Sequence, residues 1–526
     1  MQIRNNDKYL SMKHGVFEVR GAAGSGKTHQ LVKDIHFLHD NGHKNIAAIS
    51  YSNAAVNELS ERLGNIGVTL STIHSFCWKI IGALSRHILD YSDLFSNFHP
   101  EGLKANPGCT LSDIKTVRYG KIGIPQFNNS TGELWLSHDD VICLFIESLN
   151  SIPCFSRIIS NSFEYILIDE YQDTNGVFLN TLFEKLSNSL TIGLYGDPFQ
   201  TIYLNKQTLD VILARKKYGV KTFYMPNNYR SQYNLVCLYN RSREYYDELV
   251  QQPQHAAESE PHVFVHNGGI TQEIVSLINK KMDFKDSVVL SVTNGLRMSA
   301  SGFGEIARKV KNWIPKTSYI DWIAVLDEDR LSPYVSALIE YSNILFGSDY
   351  DTICALFNLF TKSSIQNVGM NSIAELLDKE KETQTVIANN YEDLGLQFID
   401  EIRNKQSMFD SFNFRELQKV NELYASLDDI NHHSMTIFAS KGLEFNDVIL
   451  NIDYGWFKKR NWNKINFNHQ ENDETEIESD IMLYLFYVGI TRAKHGLAIF
   501  INEKAHPNFK DKLKNKFPEL TKYEAI

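Results

Sequence analysis

Val16-Phe-Glu-Val19 runs into Gly21-Ala22-Ala23-Gly24-Ser25-Gly26-Lys27-Thr28, which runs into His29-Gln-Leu-Val-Lys-Asp-Ile-His-Phe-Leu38. The first piece is a short strand, and in the third Leu31, Val32, Ile35 and Leu38 fall on one helical face. A glycine-rich loop between a strand and a helix is a phosphate cradle. Gly21, Gly24 and Gly26 let backbone N–H groups converge on phosphate oxygens, and the helix that follows presents its positive end. Lys27 is placed to reach the β- and γ-phosphates of a nucleoside triphosphate, and the Thr28 hydroxyl to hold Mg²⁺.

A second stretch gives the cradle its meaning. Tyr165-Ile-Leu-Ile168 is short and apolar enough for a buried parallel strand, so Asp169 and Glu170 emerge at its carboxyl end, where α/β sheets place their ligands. Two adjacent carboxylates closing a buried strand are costly unless a metal or donors compensate them. Asp169 is therefore expected to hold the metal and Glu170 to activate water. Thr191-Ile-Gly-Leu-Tyr195 is another buried strand, and it leads through Gly196-Asp-Pro-Phe to Gln200, a side chain placed to report on the γ-phosphate.

Composition narrows the class. A chain of 526 residues with 43% apolar content suggests three or four domains. No window approaches eighteen uninterrupted apolar residues and the N-terminus has no apolar signal core, so a cytoplasmic protein with no membrane partner is expected. The six cysteines (Cys77, Cys109, Cys143, Cys154, Cys237, Cys354) are scattered, which indicates neither a disulfide framework nor a zinc or iron–sulfur site. Against 53 basic residues stand 63 acidic ones, a net charge of −10. Any nucleic-acid contact must therefore come from a local groove.

An ordered series of motifs now carries a resemblance. After the cradle come Ile46-Ala-Ala-Ile-Ser-Tyr51-Ser-Asn53-Ala-Ala-Val-Asn-Glu-Leu, Thr72-Ile-His74-Ser75-Phe76, Asp169-Glu-Tyr-Gln-Asp-Thr-Asn175 and Gly196-Asp-Pro-Phe-Gln-Thr-Ile-Tyr203. Asn228-Tyr229-Arg230-Ser231, Thr436-Ile-Phe438-Ala-Ser-Lys441-Gly442-Leu-Glu444-Phe445 and Tyr487-Val-Gly-Ile-Thr491-Arg492-Ala-Lys494 complete it. The series resembles the superfamily 1 helicases of the UvrD/Rep type and spans nearly the whole chain.

The resemblance implies an α/β fold with two RecA-like P-loop domains, each built on a parallel sheet and interrupted by a mainly helical insertion. The motif gaps place the first RecA-like domain at 1–80 and 160–235 around a short insertion at 81–159. They place the second at 236–319 and 434–526 around a reduced helical insertion at 320–433. ATP and Mg²⁺ are the implied cofactors. Lys27, Glu170, Gln200, Arg230 and Arg492 are the implied catalytic residues, with the two arginines acting as fingers on the γ-phosphate. Gly21 to Thr28 would hold the phosphates, Tyr229 would stack on adenine, Glu444 would accept from the ribose, and Gln2 is the position for a glutamine that reads adenine. Single-stranded or tailed duplex DNA is the implied partner, contacted by Tyr51, Asn53, His74, Ser75, Tyr203 and Phe438 through stacking and short polar contacts to phosphate.

Departures accompany the matches. After Tyr203 the chain has Leu204-Asn-Lys-Gln-Thr, where the family usually carries a base-stacking Trp, and Phe438 replaces the usual histidine. Gln2 sits in an unusual context. Ile481-Met-Leu-Tyr-Leu-Phe486 replaces a charged run and predicts a more buried, less polar helix. After Lys494 the strand Gly496-Leu-Ala-Ile-Phe-Ile501 and a basic stretch follow, which leaves no expected nuclease domain. In size and motif pattern the chain resembles the helicase subunits of Gabija-type anti-phage systems, which work with a separate nuclease subunit. Two functions stay open: a motor moving 3′ to 5′ on single-stranded DNA and unwinding duplex, and a DNA-stimulated ATPase switch or recruitment subunit with little unwinding of its own.

Overall fold

The computed structural model describes residues 7–64, 66–90, 95, 97–104, 106–119, 125–202, 216–313, 338, 339, 342, 411–453, 462–468 and 477–526. Contacts gather into two units. The first comprises Met1–Glu260, Lys464–His495 and Lys516–Glu519, and the second Pro261–Asn463, Gly496–Asn515 and Leu520–Ile526. The motif gaps assign 236–260 and 464–495 to the second domain, whereas contacts group both with the first unit. The cause is local packing: the helix Tyr233–Ser242 lies against the helix Ile477–Ile490, which also covers the turn Pro198–Gln200.

In the first unit a six-stranded sheet has the order Thr69–Thr72, Ile46–Ser50, Tyr165–Asp169, Thr191–Gly196, Gly15–Gly21 and Lys221–Met225. Every neighbouring pair is parallel, so all the carboxyl ends share one edge. Ile46–Ser50, Tyr165–Asp169 and Thr191–Gly196 are buried at every position, as expected of strands covered on both faces. Alternation divides the layers. Phe17 and Val19 join Leu31, Ile35 and Leu38 of the helix Lys27–Asp40 on one face. On the other, Val16, Ile166, Ile168, Ile192 and Leu194 meet the helices His138–Ser151 and Gly176–Leu186.

The stretch 81–159 is less purely helical than expected. It contains a small sheet of Thr116–Arg118, Glu133–Trp135 and Gln126–Asn128. The helix His138–Ser151 forms as its acidic start predicts. Ser137 Oγ accepts from the Asp140 N–H at 3.1 Å, and Asp140 Oδ2 accepts from the Ser137 N–H at 3.0 Å.

The second unit carries its own six-stranded sheet, in the order Ser434–Thr436, Ser287–Ser291, Phe445–Ile452, Ala493–Asn502, His262–His266 and Lys522–Ala525. Four of its neighbouring pairs run parallel in register. Most of the insertion at 320–433 lies outside the described residues; its end forms the helices Phe414–Ala425 and Leu427–His433. Two α/β units on parallel sheets are the fold class the motifs imply. The helix Ile477–Ile490 is buried from Ile481 to Ile490, as its loss of charged residues predicts. Among the described residues no single helix is long and apolar enough to cross a membrane, and the five described cysteines are free thiols.

One polar group is sealed beneath the cradle. Asp34, on the inner face of the helix Lys27–Asp40, accepts from Tyr9 Oη at 2.6 Å, Tyr195 Oη at 2.7 Å and Gln30 Nε2 at 2.8 Å. Burial nevertheless lifts its pKa from 3.8 to about 6, so the folded state disfavours the charged carboxylate. Stability linked to Asp34 is complete below about pH 4, where it is protonated folded or unfolded, and falls as pH rises through 6, by about 3 kcal/mol in all. Asp34→Asn, which keeps an acceptor for the tyrosines without the charge, is expected to raise the thermal midpoint at pH 8 and to gain about half as much at pH 5. Thermal unfolding at the two pH values checks this; equal gains at both contradict it.

Candidate functional site

The cradle forms where the strand Gly15–Gly21 ends and the helix Lys27–Asp40 begins. Gly26 caps that helix in the left-handed region (φ 80°) without any side-chain hydrogen bond, so the positive end of the helix is left to complete itself with an anion. Gly24 is also left-handed (φ 79°). A Cβ there would stand 2.7 Å from Arg230 Cβ and 2.8 Å from Asn228 Oδ1, so the loop and residues 228–230 touch through the missing side chain. Hydrogen bonds lock that approach: the Tyr229 N–H donates to the Gly24 carbonyl at 2.9 Å, and Asn228 Nδ2 to the Ala23 carbonyl at 3.0 Å. Lys27 is buried beside the loop, and the buried Ser25 Oγ has no hydrogen-bond partner among the described residues. A phosphate oxygen fits both.

The candidate metal shelf lies two strands along the sheet, beyond Thr191–Gly196. Thr28 Oγ1 donates to Asp169 Oδ2 at 3.3 Å. Burial, then the adjacent Glu170, push the Asp169 carboxyl well above the usual carboxylate range, and Lys27 offsets only part of this. Such a site is short of positive charge. A hydroxyl and a carboxylate oxygen side by side match the few protein ligands Mg²⁺ takes when phosphates and water supply the rest. Glu170 has a left-handed backbone (φ 50°), a strained conformation for a non-glycine residue costing about 1–3 kcal/mol. Its N–H donates to Asp169 Oδ1 at 3.1 Å and its carboxylate accepts from Gln172 Nε2, so the reversal of the chain aims the second carboxylate separately from the first.

Gln200, Arg230 and Arg492 belong to the same unit as the cradle. Arg492 is buried; its Nη2 donates to Gln200 Oε1 at 3.3 Å and its Nε to the Val488 carbonyl at 3.0 Å. Arg230 Nη1 donates to the Thr491 carbonyl at 3.2 Å. Burial, then the charge of Arg230, depress the Arg492 pKa to about 9, with Glu170 pulling it back up. Two guanidiniums brought this close, one of them buried, suit an anion with several oxygens.

Behind Gln200 stands a buried ladder of alternating charge, of which only Asp197 belongs to a motif. Asp197 Oδ2 accepts from Gln200 Nε2 at 2.8 Å, and the two Asp197 oxygens take Arg243 Nη1 and Nη2 at 3.0 and 3.2 Å. Arg243 Nη2 also reaches Asp247 at 2.8 Å; Arg20 Nη1 reaches Asp247 at 3.1 Å, and Arg20 Nε reaches Glu18 at 2.9 Å. These five side chains are essentially inaccessible to water. Burial alone would raise the Asp197 pKa, but Arg243 and then Lys27 outweigh it and hold the carboxyl below its ordinary value. The sequence signal was present in Glu18 and Arg20, two charges at alternate positions of an apolar strand, which share a face.

Four of the six side chains expected to contact DNA lie at the carboxyl edge of the first unit's sheet. Ser50 pairs in register with Thr72, so Tyr51–Asn53 and Ile73–Ser75 leave neighbouring strands side by side. Tyr51 is 41% exposed, Asn53 and Ser75 are exposed, and His74 is half-buried with its ring 4.6 Å from that of His138. Tyr229 is 58% exposed, an open aromatic face beside the cradle. In the second unit, Phe438 is half-buried in the turn after Ser434–Thr436, and Glu444 is exposed just ahead of the strand Phe445–Ile452. Gln2, Tyr203 and the stretch 204–208 lie outside the described residues.

Comparison with known proteins agrees with this geometry. Residues 158–504 match the family model described as the UvrD-like helicase C-terminal domain, and residues 8–206 match that of an AAA domain. The chain is similar to the Gabija protein GajB of Bacillus cereus (strain VD045), 23% identical over 532 residues, covering 93% of this chain and 94% of that protein. It is also similar to the ATP-dependent DNA helicase PcrA of Bacillus subtilis (strain 168), 26% identical over 269 residues, which is 41% of this chain and 36% of PcrA. PcrA of Staphylococcus epidermidis gives 26% over 271 residues, covering 42% of this chain and 37% of that one. The chain thus matches little more than a third of the length of either PcrA.

The close approach at Gly24 has a direct consequence. Gly24→Ala places a Cβ against Arg230 and Asn228 and adds about 1–2 kcal/mol of left-handed backbone strain. It is expected to weaken nucleotide binding by about tenfold or more. Titration of a fluorescent ATP analogue checks this, and unchanged affinity contradicts it.

Proposed function

The chain belongs to the UvrD-like helicase family, and from that membership we propose that it is an ATP-dependent DNA helicase or translocase moving 3′ to 5′ on single-stranded DNA. The observation that carries the proposal is the grouping of Lys27, Thr28 and Asp169 on one side of the cradle with Gln200, Arg230 and Arg492 in the same unit. It unites a phosphate cradle, a metal shelf and two guanidiniums, the parts phosphoryl transfer uses.

In this reading Gly21 to Gly26 hold the β- and γ-phosphates by their N–H groups while Lys27 neutralises them. Thr28 and Asp169 hold Mg²⁺, which when bound neutralises charge between the phosphates. Glu170 accepts a proton from the attacking water, and Gln200 senses the γ-phosphate. Arg230 and Arg492 stabilise the charge that develops on the transferred group. Tyr229 stacks on adenine, with Glu444 on the ribose and Gln2 on the base edge. Tyr51, Asn53, His74, Ser75, Tyr203 and Phe438 contact a single strand, and hydrolysis is coupled to closure and reopening of the two RecA-like domains in a cytoplasmic protein.

A second reading rests on Phe438, which stacks but cannot donate to phosphate, and on similarity to GajB along almost the full length of both chains. In it the chain is a DNA-stimulated ATPase switch or recruitment subunit of an anti-phage complex with a separate nuclease subunit, and unwinds little alone.

Hydrolysis with and without single-stranded DNA, and unwinding of duplexes with 3′ or 5′ tails, separate the two readings. The motor reading expects DNA-stimulated hydrolysis that Lys27→Ala abolishes and that Arg492→Ala lowers by about 10³-fold or more, with unwinding confined to 3′ tails. Stimulated hydrolysis without unwinding selects the switch. Activity surviving in Lys27→Ala, or DNA binding that does not respond to salt, contradicts both.

A further inference from the structure

The amide of Gln200 has two orientations of nearly equal shape and opposite hydrogen-bonding sense. Its neighbours choose one. Nε2 faces the Asp197 carboxylate, an acceptor, and so Oε1 faces Arg492, a donor. Rotated by half a turn, the amide would set oxygen against carboxylate and N–H against guanidinium. The choice holds only while Asp197 is charged and fixed in position, and Asp197 is fully buried. A planar guanidinium meeting both carboxylate oxygens supplies the charge and the geometry together.

We propose that Arg243 is a positioning residue for ATP hydrolysis, clamping Asp197 so that the Gln200 amide is presented to Arg492 and the γ-phosphate. The proposal rests on the ATPase reading above and adds a residue that the motifs do not include. Arg243 is itself held from behind by Asp247, whose second partner is Arg20 on the strand that leads into the cradle. It also lies over the ring of Phe199 at 5.2 Å and donates to Tyr487 Oη at 3.2 Å. Tyr487 stands on the helix that delivers Arg492. One guanidinium therefore ties the strand before the cradle, the Gln200 turn and the helix ahead of Arg492 into a single rigid frame. Stability alone is a poor reason for such a cluster, because well-packed apolar side chains usually serve that purpose as well as buried ion pairs do.

The test is a double-mutant cycle on the full chain, with kcat and KM for ATP measured well below the thermal midpoint of each variant. Arg243→Lys keeps the charge but loses the two-point clamp. It is expected to lower kcat by about tenfold or more with KM changed less than about twofold, because orientation for the transition state is lost while the cradle still binds. In a Gln200→Ala background the same change is expected to cost less than about twofold, since the side chain it positions is gone. Unchanged kcat in folded Arg243→Lys, or an undiminished loss on top of Gln200→Ala, overturns the proposal. If Arg243→Lys does not fold, Asp247→Asn loosens the clamp from behind: a fall in kcat that vanishes in Gln200→Ala supports the role, and one that persists there, or no fall, overturns it. A wild type that neither binds nor hydrolyses ATP defeats the ATPase reading itself. A hydrolysing wild type with additive losses defeats only the role of Arg243.

Discussion

Charge taken out of water must be neutralised within hydrogen-bonding distance, and in the first unit that constraint shapes nearly everything around the cradle. Glu18, Arg20, Asp247, Arg243 and Asp197 alternate in sign over three separate chain segments, each carboxylate shared and each guanidinium anchored. A charge left unpaired in such a place costs several kcal/mol. The strand before the cradle, the turn at Gln200 and the segment 243–247 are therefore held together as one piece, and the groups at its surface inherit that rigidity.

Where the ladder stops, charge is no longer balanced. Asp169 is raised by burial and by Glu170, and Arg492 is depressed by burial and by Arg230. The first is held above its ordinary range and the second below it. A magnesium–triphosphate complex would bring a cation to the one and anionic oxygens to the other, and so would favour the charged forms of both. The strained backbone at Glu170 aims two adjacent carboxylates apart, which suits the separate roles proposed for them as metal ligand and base.

Parallel sheets explain why these parts meet. Each strand delivers its last residues to the same edge, so Gly21, Tyr51, Thr72, Asp169 and Gly196 lead into loops on one side of the unit although they are spread over about 180 residues. The groups proposed for the triphosphate follow Tyr165–Asp169, Thr191–Gly196 and Gly15–Gly21, and Tyr51, Asn53, His74 and Ser75 follow the pair Ile46–Ser50 and Thr69–Thr72 at the other end of the sheet. Binding of nucleotide and of a single strand are thus proposed for one sheet edge, and a shift in one loop has a short path to the other.

Much of this was written in local sequence. The strand–loop–helix around Gly21 to Thr28, the buried strands ending at Asp169 and Gly196, and the apolar helix 481–490 follow from patterns that need only neighbouring residues, since periodicity and glycine placement act over a few positions. The order of motifs was enough to identify the family. The partners of Gln200 were not legible, because Arg243 and Asp247 lie on a segment without a motif and only folding brings them to Asp197. Nor was the grouping of 464–495 with the cradle's unit, which depends on which helix covers the Pro198–Gln200 turn. Local sequence settled which groups the chain offers for chemistry; the tertiary structure alone decided which buried charges neutralise one another, because that pairing is a matter of distance in space.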